Sequence, residues 1–188
     1  MKKQRGQIVA DKILDTAERL FFEQGYNITG INQVIEEADI AKASLYKHFD
    51  SKVDLLVAYL QRFHIRWFEK LQADVAKVAD PKQKLLVIFD YHTGRQIQGE
   101  FGGCRFVKAN NEAGMSDVRV LAYIRKAKQR LRDFTEVLVA NSGHKKLLTD
   151  KELSDMIFIM TEGGLVSASI FKKADDLQSA KAIIQKLI

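Results

Sequence analysis

An all-α protein is predicted by three features of this sequence. Apolar side chains recur at the 3.6-residue period of a helix along almost the whole chain. No segment alternates apolar and polar residues as a half-buried strand does, and the one proline, Pro81, leaves long stretches free to stay helical. Hydrophobic residues make up 46% and charged residues 29% of the 188, enough to fill a core and too apolar at the periodic positions for a disordered chain.

Each helix has its own pattern. In the first segment Ala10, Ile13, Leu14, Ala17, Leu20 and Phe21 form one stripe, and Gly25 is placed to end the helix. Thr29 offers a hydroxyl cap to a short helix carrying Ile31, Val34, Ile35 and Ala38. A second short helix follows Asp39 and Ile40, with Leu45 and Phe49 four apart on its inner face. Ser51 and Asp54 make a variant capping box that opens a long fourth helix. Its stripe runs Leu56, Tyr59, Phe63, Trp67, Leu71, Val75 and Val78, in a helix of roughly 27 residues from its start, about 40 Å at ~1.5 Å per residue.

Asp80 and Pro81 are cap and first position of a fifth helix, with Leu85, Ile88, Phe89 and His92 inward, which Gly99, Gly102 and Gly103 break. A short helix is expected from Cys104 to Glu112, ending near Gly114. Ser116 is then expected to cap a long helix with Leu121, Ile124, Leu131, Phe134 and Leu138 inside, stopped by Gly143. Thr149 and Glu152 form a capping box before Leu153, Met156, Ile157 and Met160. The middle of that helix is small (Gly163, Gly164, Ser167, Ala168), which lets helix axes approach closely. The last helix carries Leu177, Ala180, Ile183, Ile184 and Leu187. Three helices of decreasing length sharing one small core come first, which divides the chain into residues 1–55 and residues 56–188.

Several function classes find no support. A single cysteine, Cys104, excludes an intramolecular disulfide and a multi-cysteine zinc cluster. His48, His64, His92 and His144 make no i, i+4 pair, and no GxSxG, GxGxxG or P-loop string occurs, so neither an enzyme nor a metal or cofactor is expected. No run approaches the ~18 apolar residues of a membrane span, and the basic N-terminus leads to Asp11 and Asp15 rather than an apolar stretch. The expectation is a cytoplasmic protein with no membrane partner. The net charge of +6 suggests an acidic partner, but residues 1–56 hold eight basic against nine acidic side chains. Function must rest on where individual charges sit.

The informative stretch is Gly25 to Leu56, two short helices joined by a tight turn: a helix-turn-helix, which lays its second helix in the major groove of double-stranded DNA. With Leu45 and Phe49 inward, Lys42, Ala43, Ser44, Tyr46, Lys47 and His48 face out as phosphate and base-edge contacts. Lys52 sits at the first position of the long helix, where the macrodipole disfavours a cation by ~0.3 to 1 kcal/mol. A phosphate at that helix start reverses the sign.

The run GYNITGINQVIEEADIAKASLYKHFDSKVDLL resembles the DNA-binding domain of the tetracycline-repressor family over about residues 8 to 56. Gly25, Tyr26, Thr29, Ala38, Lys42, Leu45, Tyr46, His48, Phe49, Ser51, Lys52 and Leu55 carry the resemblance. It implies that Thr29, Tyr46 and Lys52 contact phosphates while Lys42, Ala43, Ser44, Lys47 and His48 lie on the recognition helix. It also implies a homodimeric repressor that releases a palindromic operator when a small-molecule effector enters the C-terminal domain, with the last two helices forming the dimer interface. Asp39, Ala41 and Ala43 depart from the family's usual glycine, serine or threonine, and glycine. Aspartate tolerates the left-handed conformation, and loss of the Ala41 hydroxyl costs ~1 kcal/mol of helix stability.

Behind this domain, Trp67, His92, Tyr123 and Met160 are the expected lining of an effector pocket. The run GGCRFVKANNEA resembles a segment found in thiol- and electrophile-responsive members of the family. Cys104 is therefore either a redox sensor or, like most free cysteines, a small buried apolar residue.

Overall fold

The computed structural model describes residues 2–145 and 147–188. Among them are nine α-helices, one π-helical turn and no strand. The helices are α1 (Lys2–Glu23), α2 (Ile31–Glu37), α3 (Lys42–His48), α4 (Lys52–Ala76), α5 (Pro81–Gln98), α6 (Arg105–Ala109), α7 (Val118–Ala140), α8 (Asp150–Phe171) and α9 (Asp175–Leu187), with the π-turn Asn110–Gly114 between α6 and α7. They form two compact units, Met1–His64 with Arg105–Arg125, and Ile65–Cys104 with Lys126–Ile188.

In the first unit the expected stripe of α1 is buried at Ile13, Ala17, Leu20 and Phe21, against Val34 and Ala38 of α2, Leu45 of α3 and Leu55, Leu56 and Tyr59 of α4. Ala10 and Leu14 lie half-buried at its edge. Gly25 is left-handed at φ 96°, as a helix-ending glycine should be. Ser51 caps α4, its hydroxyl accepting from the Asp54 backbone N–H at 3.1 Å. The edge of the Phe106 ring packs on Phe63 at 5.5 Å, which ties α6 into the same unit.

The second unit is built on Leu85, Leu86, Ile88 and Phe89 of α5, Val139 of α7, Leu153, Ile157 and Leu165 of α8, and Leu177, Ala180 and Ile184 of α9. Its helix starts follow the sequence. Asp80 accepts from the backbone of Lys82 and Gln83 with Pro81 at the first position, and Thr149 and Glu152 complete a reciprocal capping box. Each such cap stabilises its helix by ~1 kcal/mol.

Four expectations are corrected. Thr29 is not the cap of α2; Gly30 occupies that position, with no side-chain bond. Ser116 bonds back to the Ala113 carbonyl, and Asp117 instead accepts from the Arg119 backbone N–H at the start of α7. The buried line of α7 is Val120, Ile124, Ala127, Leu131, Thr135 and Val139, with Leu121, Phe134 and Leu138 only half-buried. The polar member of that line is satisfied within its own helix, the Thr135 hydroxyl donating to the Leu131 carbonyl at 2.9 Å. Finally, α8 is long and apolar enough to cross a membrane by composition. Glu162 interrupts the run and hid it in the sequence; it pairs with Lys128 at 2.6 Å, and 44% of the helix's apolar window is buried inside the protein.

Candidate nucleic-acid interface

Helices α2 and α3 have seven residues each, too few to persist alone, so packing must hold them. Asp39 turns the chain between them at φ 45°, the left-handed conformation expected of it. Its backbone N–H bonds the Glu36 carbonyl at 2.9 Å, and its own carbonyl accepts from Lys12 of α1 at 3.4 Å. Arg19 of α1 pairs with Glu37 at the end of α2. Ala41 is the N-cap of α3 with no side-chain bond, as a methyl group must leave it.

Leu45 and Phe49 are buried, and this fixes the rotation of α3. Lys42, Ala43, Tyr46 and Lys47 are exposed; Ser44 and His48 are half-exposed. Tyr46 stands 41% exposed, a large aromatic with a hydroxyl facing solvent. His48 leans on its neighbour Phe49, ring centroids 6.4 Å apart. The six residues expected on one outward face are thus all accessible there.

Thr29 is elsewhere. It is fully buried, its hydroxyl donating to the Gly25 carbonyl at 2.7 Å and accepting from Gln24 at 3.1 Å. The side chain that the resemblance assigns to a phosphate is spent holding the turn before α2. Lys52 opens α4 as expected, with its ammonium 4.1 Å from the centre of the Tyr26 ring. Burial pushes its pKa below the ordinary lysine value, and the negative charge of Glu112 opposes that shift. No local pattern marks this aromatic seat, since Tyr26 and Lys52 are far apart in the chain.

The four expected pocket residues do not gather in one place. Trp67 and His92 are buried together in the second unit, ring centroids 5.7 Å apart. Met160 is half-buried against the core of that unit. Tyr123 belongs to the first unit, where its hydroxyl meets His64 Nδ1 at 3.0 Å. His92 is 4% exposed and its Nε2 has no hydrogen-bond partner. Burial first, then the positive charges of Lys128 and Arg95, push its pKa down to about 3, so it is neutral. Cys104 is half-buried, its sulfur 3.4 Å from the Lys128 ammonium. Among the described residues no group of three potential ligands could hold a metal ion.

Comparison with known proteins agrees with this geometry. The family model "Bacterial regulatory proteins, tetR family" matches residues 13–59, which are α1 from Ile13 through the first turns of α4. An uncharacterised HTH-type transcriptional regulator of Mycobacterium tuberculosis is 36% identical over 87 residues, 46% of this chain and 43% of its own length. The chain spans less than half the length of such curated relatives. The HTH-type transcriptional repressor NemR of Escherichia coli is 22% identical over 197 residues, 100% of this chain and 98% of its own. A TetR-family transcriptional regulator from Agrobacterium tumefaciens has the same fold, with TM-score 0.85 and 19% identity over 97% of this chain and 98% of that one.

Proposed function

The chain belongs to the tetracycline-repressor family of transcriptional regulators, and from that premise we propose that it is a repressor that binds a palindromic operator as a homodimer and lets go when a small molecule binds. Residues 1–55 read the DNA; residues 56–188 sense the effector and dimerise. The observation that carries the reading is the solvent face of α3. Lys42, Ala43, Tyr46 and Lys47 stand exposed on a helix that Leu45 and Phe49 hold by its other side, the placement a recognition helix needs. Lys42, Ser44, Lys47 and His48 supply donors to base edges and phosphates, and Ala43 offers a methyl to thymine. Tyr46 and Lys52 take phosphates. Thr29, buried, holds the turn rather than a phosphate.

The dimer rests on α8 and α9. Ile159, Gly163, Val166 and Ile170 recur on α8 at helical spacing and are exposed, as is Ile183 on α9. An apolar face of that extent in water marks a protein interface. The effector site centres on Trp67 and His92, where a buried ring nitrogen without a partner favours a ligand that supplies one hydrogen bond. Met160, half-buried against the core of the same unit, is its outer member. Cys104, whose sulfur faces a cation, makes an oxidant or electrophile a second class of effector, and Cys104→Ser tests it by abolishing the response while leaving operator affinity intact.

Selection from a random pool of double-stranded oligonucleotides tests the whole reading. The expected product is a palindrome whose half-sites are centred about one helical turn, or a multiple of it, apart. Enrichment of no motif, with retention on DNA no better than for an unselected pool, overturns it.

A further inference from the structure

Three charged side chains at positions 105, 108 and 112 address three successive points around the end of α1. Arg105 donates to Glu18 at 2.9 Å, and Lys108 donates to the Phe22 carbonyl at 3.1 Å. Both cations also lie over the Phe22 ring, at 4.2 and 4.7 Å. The Lys108 ammonium sits where the macrodipole of α1 favours a positive charge, at its C-terminal carbonyls. Glu112 then accepts from the backbone N–H of Asn27 at 2.7 Å, in the turn that joins α1 to α2.

We propose that Glu112 is a positioning residue for DNA binding: its carboxylate fixes the turn from Gly25 to Thr29, and with it the start of α2 and the seat of Lys52. The proposal rests on the operator-binding function inferred above. Two features single this carboxylate out. A Cβ at Gly25 would stand 2.9 and 3.0 Å from its two oxygens, so the carboxylate lies directly against a residue whose φ of 96° itself calls for glycine. The π-turn, with one more residue in its ring of hydrogen bonds than an α-helix, sets the direction in which Glu112 projects; a regular helix advances by ~100° per residue, so losing that extra residue swings the face away. Such turns recur at functional sites.

Glu112 lies outside residues 13–59, the stretch that matches the family's DNA-binding domain. It is 85 positions from Asn27 in sequence. The geometry of the turn before α2 is therefore completed by a side chain that the domain itself does not contain. The Tyr26 ring that carries the Lys52 ammonium belongs to the same turn, so fixing one fixes the other.

The test compares the full-length wild type with Glu112→Ala and Glu112→Gln, using a duplex obtained by selection. Glutamine keeps an oxygen for the Asn27 N–H; alanine removes it. Two quantities are read, the hydrogen-exchange protection of the Asn27 amide and the affinity for the duplex. For Glu112→Ala we expect protection and affinity each to fall by about tenfold, since loss of a charged acceptor lowers the fraction of molecules holding the competent turn. Glu112→Gln should restore most of both. Unchanged Asn27 exchange in Glu112→Ala, or raised exchange with affinity within twofold of wild type, overturns the positioning role while the operator reading stands. A wild type that binds no duplex overturns the operator reading and the proposal together, whatever Asn27 does. Should Glu112→Ala fail to fold, Glu112→Gln decides: affinity that falls about tenfold while Asn27 stays protected rules out positioning through the turn, and affinity and protection that hold or fall together support it.

Discussion

Gly164 of α8 and Leu177 of α9 meet so closely that a methyl group on the glycine would stand 2.6 Å from Leu177 Cδ2. The small residues of α8, which fit either a second copy or packing within one subunit, are at Gly164 and Ala168 buried within one chain. Gly164→Leu should therefore destabilise the fold itself. Overpacking of this kind costs ~1 to 3 kcal/mol, and at 2 to 4 °C per kcal/mol the melting temperature should drop by roughly 2 to 12 °C. Thermal unfolding followed by circular dichroism checks it; an unchanged melting temperature would mean that α9 yields at no cost.

The proposed dimer should respond instead to the exposed side of α8. Ile159 and Ile170 are 62% and 65% exposed, so charges there cost a single chain little. The double substitution Ile159→Glu, Ile170→Glu should give a monomer in sedimentation at micromolar concentration, with helical circular dichroism retained. A variant that sediments like wild type places the interface elsewhere.

Salt separates the structural contact of Lys52 from the phosphate contact proposed for it. In the free protein Lys52→Ala loses a contact with the Tyr26 ring worth ~0.5 to 1 kcal/mol, a small loss of stability that the helix dipole partly offsets. On DNA it loses one released counterion, so binding should weaken alike for all duplexes and the slope of log K against log salt should flatten by about one unit. A slope equal to that of wild type removes Lys52 from the phosphate contacts.

His92 should make stability depend on pH. Its folded pKa, about 3, lies below the unfolded value near 6.5, so the unfolded chain binds the extra proton in between and stability falls as pH falls. Above pH 6.5 the effect vanishes. Between pH 6.5 and 5.0 it amounts to ~2 kcal/mol, since each pH unit below the unfolded pKa is worth about 1.4 kcal/mol. Urea unfolding of wild type and His92→Phe at pH 7.5 and 5.0 measures it: the variant should lose less stability on acidification. Equal losses would mean that His92 finds a partner once protonated.

Local signals made much of this protein legible. Asp80 with Pro81, Thr149 with Glu152 and Gly25 mark helix ends through bonds to residues at most a few positions away, and such bonds are written in the sequence. Leu45 and Phe49, four apart, were enough to orient α3 and so to name its outward face. What escaped depends on partners distant in the chain. The ring beneath Lys52, the packing of Gly164 on Leu177 and the bond from Asn27 to Glu112 join residues with no shared pattern. The inner line of α7 escaped for another reason: Ala127 and Thr135 carry no strong hydrophobic signal, and larger neighbours drew the stripe aside. Thr29 was misplaced because a threonine before a short helix reads as a cap, whereas its hydroxyl turns back to Gly25.

The seven-residue length of α3 has an evolutionary consequence. Two anchors, Leu45 and Phe49, hold it, and most of the remaining side chains touch water rather than core. Substitutions at Lys42, Ala43 or Lys47 fall in the class of surface changes that usually alter stability by no more than ~0.5 kcal/mol. On the DNA-reading role proposed above, the chain can drift to a new genomic address one base contact at a time through intermediates that keep the fold. Mutational tolerance and the proposed binding preference share the outer side of the same two turns of helix, and the anchors occupy the inner one.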